Sequence, residues 1–307
     1  MIYNHILLFT VGLIVIYFSA ESLISSSTSL AAKLNISKVL VGIGVVAVGT
    51  SLPEFVVSII AILKKEQGLL IGNVLGSNIA NIGLVFGFSL LMSSVKVSFK
   101  KIKFEVITLL IVSFILFVGV FFHILSFKFG VIFIFIFVYF IYSLFNKEHA
   151  NQDLNQIEKD SPLNKIIFLL LIGLFGLPVG SEIFIRGAIG IAKFFEVPSH
   201  IVGLSSVAIG TSVPELAAGI IAARKKEFQI IVGNVLGSNI FNIIFVIGFS
   251  LIFTNIETSS LLGIRNNVTV FFIFSIFFCI LLMLRIIPRF VGSILVGSYA
   301  LFIIYIF

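Results

Sequence analysis

The chain has 307 residues, of which 59% are hydrophobic and 11% charged, with a mean hydropathy of +1.24 and 36 phenylalanines. Soluble domains carry about 25% charged residues, so this composition excludes a soluble enzyme and identifies a polytopic membrane protein. The formal charge of +7 comes without any basic segment long enough to hold a nucleic acid, and in such a chain Lys and Arg report topology first.

Each crossing needs about 20 apolar residues. In chain order the apolar runs predict ten spans, at 4–24, 37–63, 68–92, 104–122, 127–145, 164–190, 199–223, 228–254, 267–285 and 289–306. The runs lack the period-2 alternation of a membrane barrel, so the expected class is all-α. The first run, beginning MIYNHILLFT, has no basic leader region and no small-residue cleavage site, and is expected to remain as a helix. One polar stretch, Asn146 to Lys165, divides the chain into a first five-helix repeat (1–145), a linker (146–163) and a second five-helix repeat (164–307). Cys279, the single cysteine, lies in an apolar run and reads as a small buried residue. His5, His123, His149 and His200 fall at expected loop positions without metal-ligand spacing, so no resident cofactor is expected.

The halves repeat. Residues 41–90 align without a gap to 202–251 at an offset of 161, with about 30 of 50 positions identical. Thr-Ser-x-Pro-Glu and Gly-Asn-Val-Leu-Gly-Ser-Asn-Ile recur at that one offset, which marks an internal duplication. Five spans per repeat is an odd number, so the second half enters the membrane from the opposite side and the repeats are inverted. Lys and Arg test this. Alternate loops place fourteen of them (Lys33, Lys38, Lys96, Lys100, Lys101, Lys103, Lys147, Lys159, Lys165, Arg224, Lys225, Lys226, Arg285, Arg289) on one side. Five (Lys64, Lys65, Lys128, Lys193, Arg265) fall on the other, with Arg186 inside a span. The richer side is expected to be cytoplasmic, with the linker inside and both termini outside a cytoplasmic membrane.

Glu54 and Glu215 are equivalent residues deep in the second and seventh spans. A carboxylate there costs about 2.5–3.5 kcal/mol even on the lenient insertion scale. Neither has a Lys or Arg nearby in its own span, so a cation held between the two is the economical partner. Ala47, Thr50, Ser51 and Glu54 fall on one helical face, as do Ala208, Thr211, Ser212 and Glu215. Pro53 and Pro214 remove the helical donor of the Gly49 and Gly210 carbonyls, so each span should kink there. Ser77 with Asn81, and Ser238 with Asn242, add i, i+4 pairs on the following spans. Hydroxyls, amides, carbonyls and two carboxylates are hard oxygen ligands suited to Ca²⁺ and Na⁺. Two carboxylates neutralise one Ca²⁺ or two Na⁺, so one pocket can carry either load in turn.

Gly72, Gly76, Gly83, Gly87, Gly233, Gly237 and Gly248 are expected to let helices approach closely. Glu21 and Glu182 also repeat at the offset. Glu182 can pair with Arg186 four residues on, whereas Glu21 has no such partner, and a structural or gating role is expected for both. Glu66 and Glu227 follow Lys-Lys at span ends and are expected to be solvated.

At its repeated Gly-Thr-Ser-x-Pro-Glu and Gly-Asn-x-x-Gly-Ser-Asn segments the chain resembles the sodium/calcium exchanger family of the calcium/cation antiporter superfamily. The resemblance implies ten helices in a 5+5 inverted arrangement. It also implies Na⁺-driven Ca²⁺ movement by alternating access, with the first and sixth helices sliding across an ion-holding bundle; separately, the protein is expected to act as a monomer. It maps the family's ligands onto Thr50, Ser51, Glu54, Ser77, Asn81, Thr211, Ser212, Glu215 and Ser238, with carbonyls at Ala47 and Ala208. Some prokaryotic exchangers and the potassium-dependent branch carry Asp where this chain has Asn242, which argues against potassium dependence. Two alternatives stay open: a Ca²⁺/H⁺ antiporter using the same two glutamates, and a passive cation channel.

Overall fold

The computed structural model describes residues 2–146, 162–196, 210–256 and 263–306. These residues form α1 (Ile2–Leu34), α2 (Lys38–Thr50), α3 (Leu52–Lys64), α4 (Gln67–Met92), α5 (Phe99–Phe121), α6 (Phe127–Phe145), α7 (Leu163–Phe194), α8 (Val213–Arg224), α9 (Phe228–Phe253), α10 (Ile264–Met283) and α11 (Phe290–Ile306). The only strands among them are β1 (Val95–Lys96) and β2 (Ile286–Ile287), paired antiparallel, which tie the loop after α4 to the loop after α10. Among the described residues seven helices are long and apolar enough to cross a membrane, and eight if α2 and α3, bent by 42° at their junction, count as one. α11 is a shorter apolar helix. The chain is thus all-α and polytopic. Most of the linker (147–161) and part of the expected seventh span (197–209) lie outside the described residues.

The first helix runs ten residues past its expected end at residue 24. Its polar tail, Glu21 to Ser29, is accommodated in the helix, where Ser25, Ser26, Thr28 and Ser29 satisfy their hydroxyls by donating to carbonyls three or four residues back. α1 and α7, of 33 and 32 residues, are about 50 Å long at 1.5 Å per residue. They pack antiparallel along much of that length. Gly173 faces Leu23, Gly180 faces Ile16 and Gly187 faces Phe9, so the contacts in α1 fall as those in α7 rise. A hydrocarbon core is about 30 Å thick, so helices of this length tilt or project beyond it.

α4 and α9 form the centre. Of their apolar windows 78% and 83% are buried, against 22–33% for α1, α6 and α7. Each turns to π-helix at the same point, Asn81–Phe86 and Asn242–Ile247, exactly 161 residues apart. α2 packs against α9, α3 and α11 against α4, α5 against α10, and α6 against α9. The outward faces of the peripheral helices carry large apolar side chains such as Phe18, Phe135, Phe175 and Leu301, all well exposed, as expected of surfaces in contact with lipid.

The glycine expectation holds in part. Gly83, Gly87, Gly233, Gly237 and Gly248 abut neighbouring helices, but a Cβ on Gly72 or Gly76 would meet nothing within 4 Å. His5 lies within α1 and not in a loop, and packs against Gly190 of α7. Cys279 is buried as expected, 3.8 Å from the Val106 carbonyl.

Candidate functional site

Pro53 and Pro214 act as expected on the backbone around them. Each is the second residue of a new helix, and the preceding Ser51 (φ −87°, ψ 6°) and Ser212 (φ −89°, ψ 1°) share one non-helical conformation. The single helical face expected for Ala47 to Glu54 is therefore broken at Ser51. The break does not scatter the side chains: Ala47, Thr50, Ser51 and Glu54 are all buried, as are Ser212 and Glu215, while Thr211 is half-buried. The Ala47 carbonyl accepts the Ser51 N–H at 3.0 Å and lies 3.4 Å from Thr50 Oγ1. Ala208 lies outside the described residues.

Side chains cross between the repeats. Ser51 Oγ donates to Glu215 Oε1 at 3.3 Å, and Thr50 also faces Glu215. In the reverse direction Thr211 faces Glu54, and the two carboxylates interact electrostatically. Thr50 Oγ1 donates to Asn234 Oδ1 at 3.3 Å. From the π-helix starts, Asn242 Nδ2 donates to Ser77 Oγ at 3.2 Å and to Asn78 Oδ1 at 3.0 Å. π-Helical turns of this kind occur mostly at functional sites, and here both open at a residue singled out from the sequence, Asn81 and Asn242.

The site holds many buried polar atoms without partners. Both Glu54 oxygens, Glu215 Oε2, Ser212 Oγ, Ser238 Oγ, Asn81 Oδ1 and Nδ2, and Asn242 Oδ1 are buried and carry no hydrogen bond among the described residues. Buried polar atoms are normally satisfied, and an uncompensated carboxylate is the most costly exception. The set offers hard oxygens and two negative charges. No cluster of three or more His, Cys, Asp or Glu occurs among the described residues, so a thiolate or imidazole metal centre has no counterpart here.

Four asparagines in the same repeated segments were not singled out as ligands. Asn73 Nδ2 donates to the Glu54 carbonyl (3.0 Å) and Ser58 Oγ (3.2 Å), holding the first turn of α3. Its counterpart Asn234 receives Thr50. Asn78 Nδ2 lies 3.4 Å from the Asn239 carbonyl, and Asn239 Nδ2 donates to the Val235 carbonyl at 2.8 Å. Their signal was present, since each pair recurs at the offset of 161.

A cavity of about 660 Å³ reaches the site from one side, bounded by Pro53, Val56 and Ile60 of α3, Pro178 and Glu182 of α7, and Thr211. A second, of about 390 Å³, lies beside the β1–β2 pair away from the carboxylates and brings together Lys96, Lys101 and Arg285. Arg186 pairs with Glu182 at 2.6 Å as expected. Two acids differ from expectation. Glu21 reaches across to Lys225 at 2.5 Å, a contact between distant segments that local spacing cannot reveal. Glu227 is bound through both oxygens by Lys38 at 2.9 Å in a largely buried pair, because packing of α2 on α9 brings their starts together.

A family model described as sodium/calcium exchanger protein matches residues 4–146 and 165–307. Inner membrane protein YrbG of Escherichia coli is 33% identical over 286 residues, covering 89% of this chain and 87% of that protein. Sodium/calcium exchanger MaX1 of Methanosarcina acetivorans is 29% identical, with 100% and 99% covered. The solved structure of the sodium–calcium exchanger NCX_Mj soaked with Na⁺ and Sr²⁺ superposes with a TM-score of 0.86 at 29% identity, over 99% of this chain and 98% of that one.

Proposed function

The chain belongs to the sodium/calcium exchanger family, and from that membership we propose that it exchanges Na⁺ for Ca²⁺ by alternating access, holding the ions between two inverted five-helix repeats. It is a transporter and not an enzyme, a polytopic protein of the membrane. The ligands proposed are Thr50, Ser51, Glu54, Ser77 and Asn81 from residues 1–145, and Thr211, Ser212, Glu215, Ser238 and Asn242 from residues 164–307. The carbonyls of Ala47 and Ala208 complete the set. The transported ions are substrates; no resident cofactor is proposed, and the unit of transport is a monomer.

The observation that carries this reading is the group of buried oxygens without donors around Glu54 and Glu215, contributed by both repeats. A cation satisfies all of them together, and a second binding mode with two monovalent ions preserves the charge balance. A ligand drives the inward–outward change only through different affinity for the two states. The Lys- and Arg-rich end is proposed to face the cytoplasm together with the linker at 146–163, and both termini to face outward. Support comes from Lys96, Lys101 and Arg285, which converge on one cavity from separate loops of that group.

Inside-out vesicles should take up Ca²⁺ when an opposed Na⁺ gradient is imposed. Equal uptake from a pH gradient without sodium would overturn sodium coupling in favour of proton exchange. Near-normal transport in both Glu54→Gln and Glu215→Gln would remove the proposed pocket.

A further inference from the structure

The two halves are duplicated in sequence, yet α1 and α7 sit differently on their partners. α1 packs along α8. α7, its counterpart by the 161 offset, stands away from α3, and the cavity of about 660 Å³ lies between them. At the packed end, Lys225 pairs with Glu21 at 2.5 Å and donates to Ser25 Oγ at 2.9 Å, while the Arg224 guanidinium lies 5.7 Å from the centroid of the Tyr17 ring. At the parted end the equivalents of Glu21 and Lys225 are Glu182 and Lys64. Glu182 is on the cavity wall, paired with Arg186 of its own helix. Lys64, one turn beyond Ile60, is exposed and has no ion pair among the described residues.

We infer that the Glu21–Lys225 pair is a latch that holds α1 against α8 and closes the inner end of the pathway, and that Glu182–Lys64 is its counterpart for the outer end. The acid and the lysine are the only parts of the latch that the duplication kept. Where the inner latch has Ser25, Tyr17 and Arg224, the outer one has Arg186, Pro178 and Leu63. Ser25 accepts from the latch lysine, whereas Arg186 competes with Lys64 for Glu182. Tyr17 and Arg224 add a cation–π contact that Pro178 and Leu63 cannot make. The shared acid and lysine let either end close in turn, and the unshared residues favour closure of the inner end. This gives the duplicated chain a built-in preference for the outward-open state. The inference rests on the alternating-access reading above and adds to it four residues that set the balance of states without touching the ions.

The test uses two reporters at equivalent positions, Ile185→Cys on the cavity wall, where the residue is half-buried, and Ile24→Cys, fully buried in α1, each on a Cys279→Ser background. A membrane-impermeant maleimide is applied to vesicles from either side under Na⁺ and under Ca²⁺. With the latch intact, position 185 reacts from outside and position 24 is protected. Exposed ion pairs of this kind contribute about 0.2–1 kcal/mol. Glu21→Gln should therefore speed labelling at 24 from inside by up to about five-fold and slow labelling at 185 by a smaller factor, because the outward-open state is the majority one. Lys225→Gln should do the same, and the exchanged pair Glu21→Lys with Lys225→Glu should restore the original rates. Arg186→Gln should shift labelling in the same direction by freeing Glu182 for Lys64, and adding Lys64→Gln should cancel that shift. If Glu21→Gln leaves both rates unchanged while the ions still switch which reporter reacts, the latch is wrong and alternating access stands. If both positions react together whatever the ions, alternating access falls and the latch with it.

Discussion

Glu54→Gln should make the ion-free protein more stable and at the same time remove its response to calcium. In the wild type both Glu54 oxygens are buried without a hydrogen bond, and the carboxylate interacts with that of Glu215. Leaving a buried polar group unsatisfied costs about 1–3 kcal/mol, and more when it is charged. The amide keeps the shape of the side chain, removes the charge and supplies a donor where Glu215 Oε2 lacks one. At about 2.1 cal/mol/K per residue, the unfolding entropy of 307 residues is roughly 0.6 kcal/mol/K, so this gain raises the melting midpoint by about 2–5 °C. Calcium at one hundred times its Kd stabilises the wild type by about 2.7 kcal/mol, or roughly 4 °C on the same scale, and this increment should vanish in the variant. The chain has no tryptophan, but its one cysteine, Cys279, is buried, so a thiol-reactive dye reports unfolding in detergent directly. A variant that melts at or below the wild-type temperature without ions, and still gains several degrees from calcium, would refute the idea that a cation compensates Glu54.

Asn242→Asp loses two donors, to Ser77 and Asn78, and sets an acceptor against Asn78 Oδ1; the ion-free midpoint should fall by about 2–5 °C for a cost of about 1–3 kcal/mol, while the increment from calcium grows. Identical melting in the two proteins would count against this geometry. Asn73→Ala frees the first turn of α3 from its bonds to the Glu54 carbonyl and Ser58, and should raise the Ca²⁺ concentration for half-maximal uptake about ten-fold, equivalent to about 1.4 kcal/mol, with the maximal rate kept. Gly173→Val would bring Cβ within 2.6–2.8 Å of Leu23, forcing α1 from α7 at a cost of about 1–3 kcal/mol, and the monodisperse fraction on size exclusion should drop. Gly72→Ala, whose Cβ meets nothing within 4 Å, is the control and should elute as wild type.

Local chemistry was legible in the sequence wherever duplication supplied a second witness. Pro53 and Pro214 announced the break at Ser51 and Ser212 because a proline removes a specific hydrogen bond wherever it stands in a helix. The buried Glu54 and Glu215 were legible because lipid makes a carboxylate costly without regard to tertiary detail. What stayed hidden depends on contacts between distant segments. The partners of Glu21 and Glu227 lie 204 and 189 residues away, and no periodicity encodes a lysine arriving from another helix. The end of α1 was misplaced for a different reason: Ser25 to Ser29 read as a polar boundary, but serine and threonine hydroxyls can bond back to their own helix and so remain compatible with it. Gly72 and Gly76 show the limit of the repeat itself, since identical residues meet a packed helix in one half and open space in the other.

The crossing of side chains between halves gives the duplication a physical consequence. Glu215 is met by Thr50 and Ser51 of the first half, and Glu54 by Thr211 of the second, so each carboxylate, besides its own backbone, draws hydroxyl partners from the other repeat. In the proposed exchange mechanism this crossing ties ion binding to the relative placement of the halves. The proposed ligand residues repeat at one offset, whereas around the repeated acid and lysine of the helix ends Ser25, Tyr17 and Arg224 are replaced by Arg186, Pro178 and Leu63, and this division suits the proposed exchange. The ions need a site that looks alike from both sides, whereas a preferred resting state needs ends that differ.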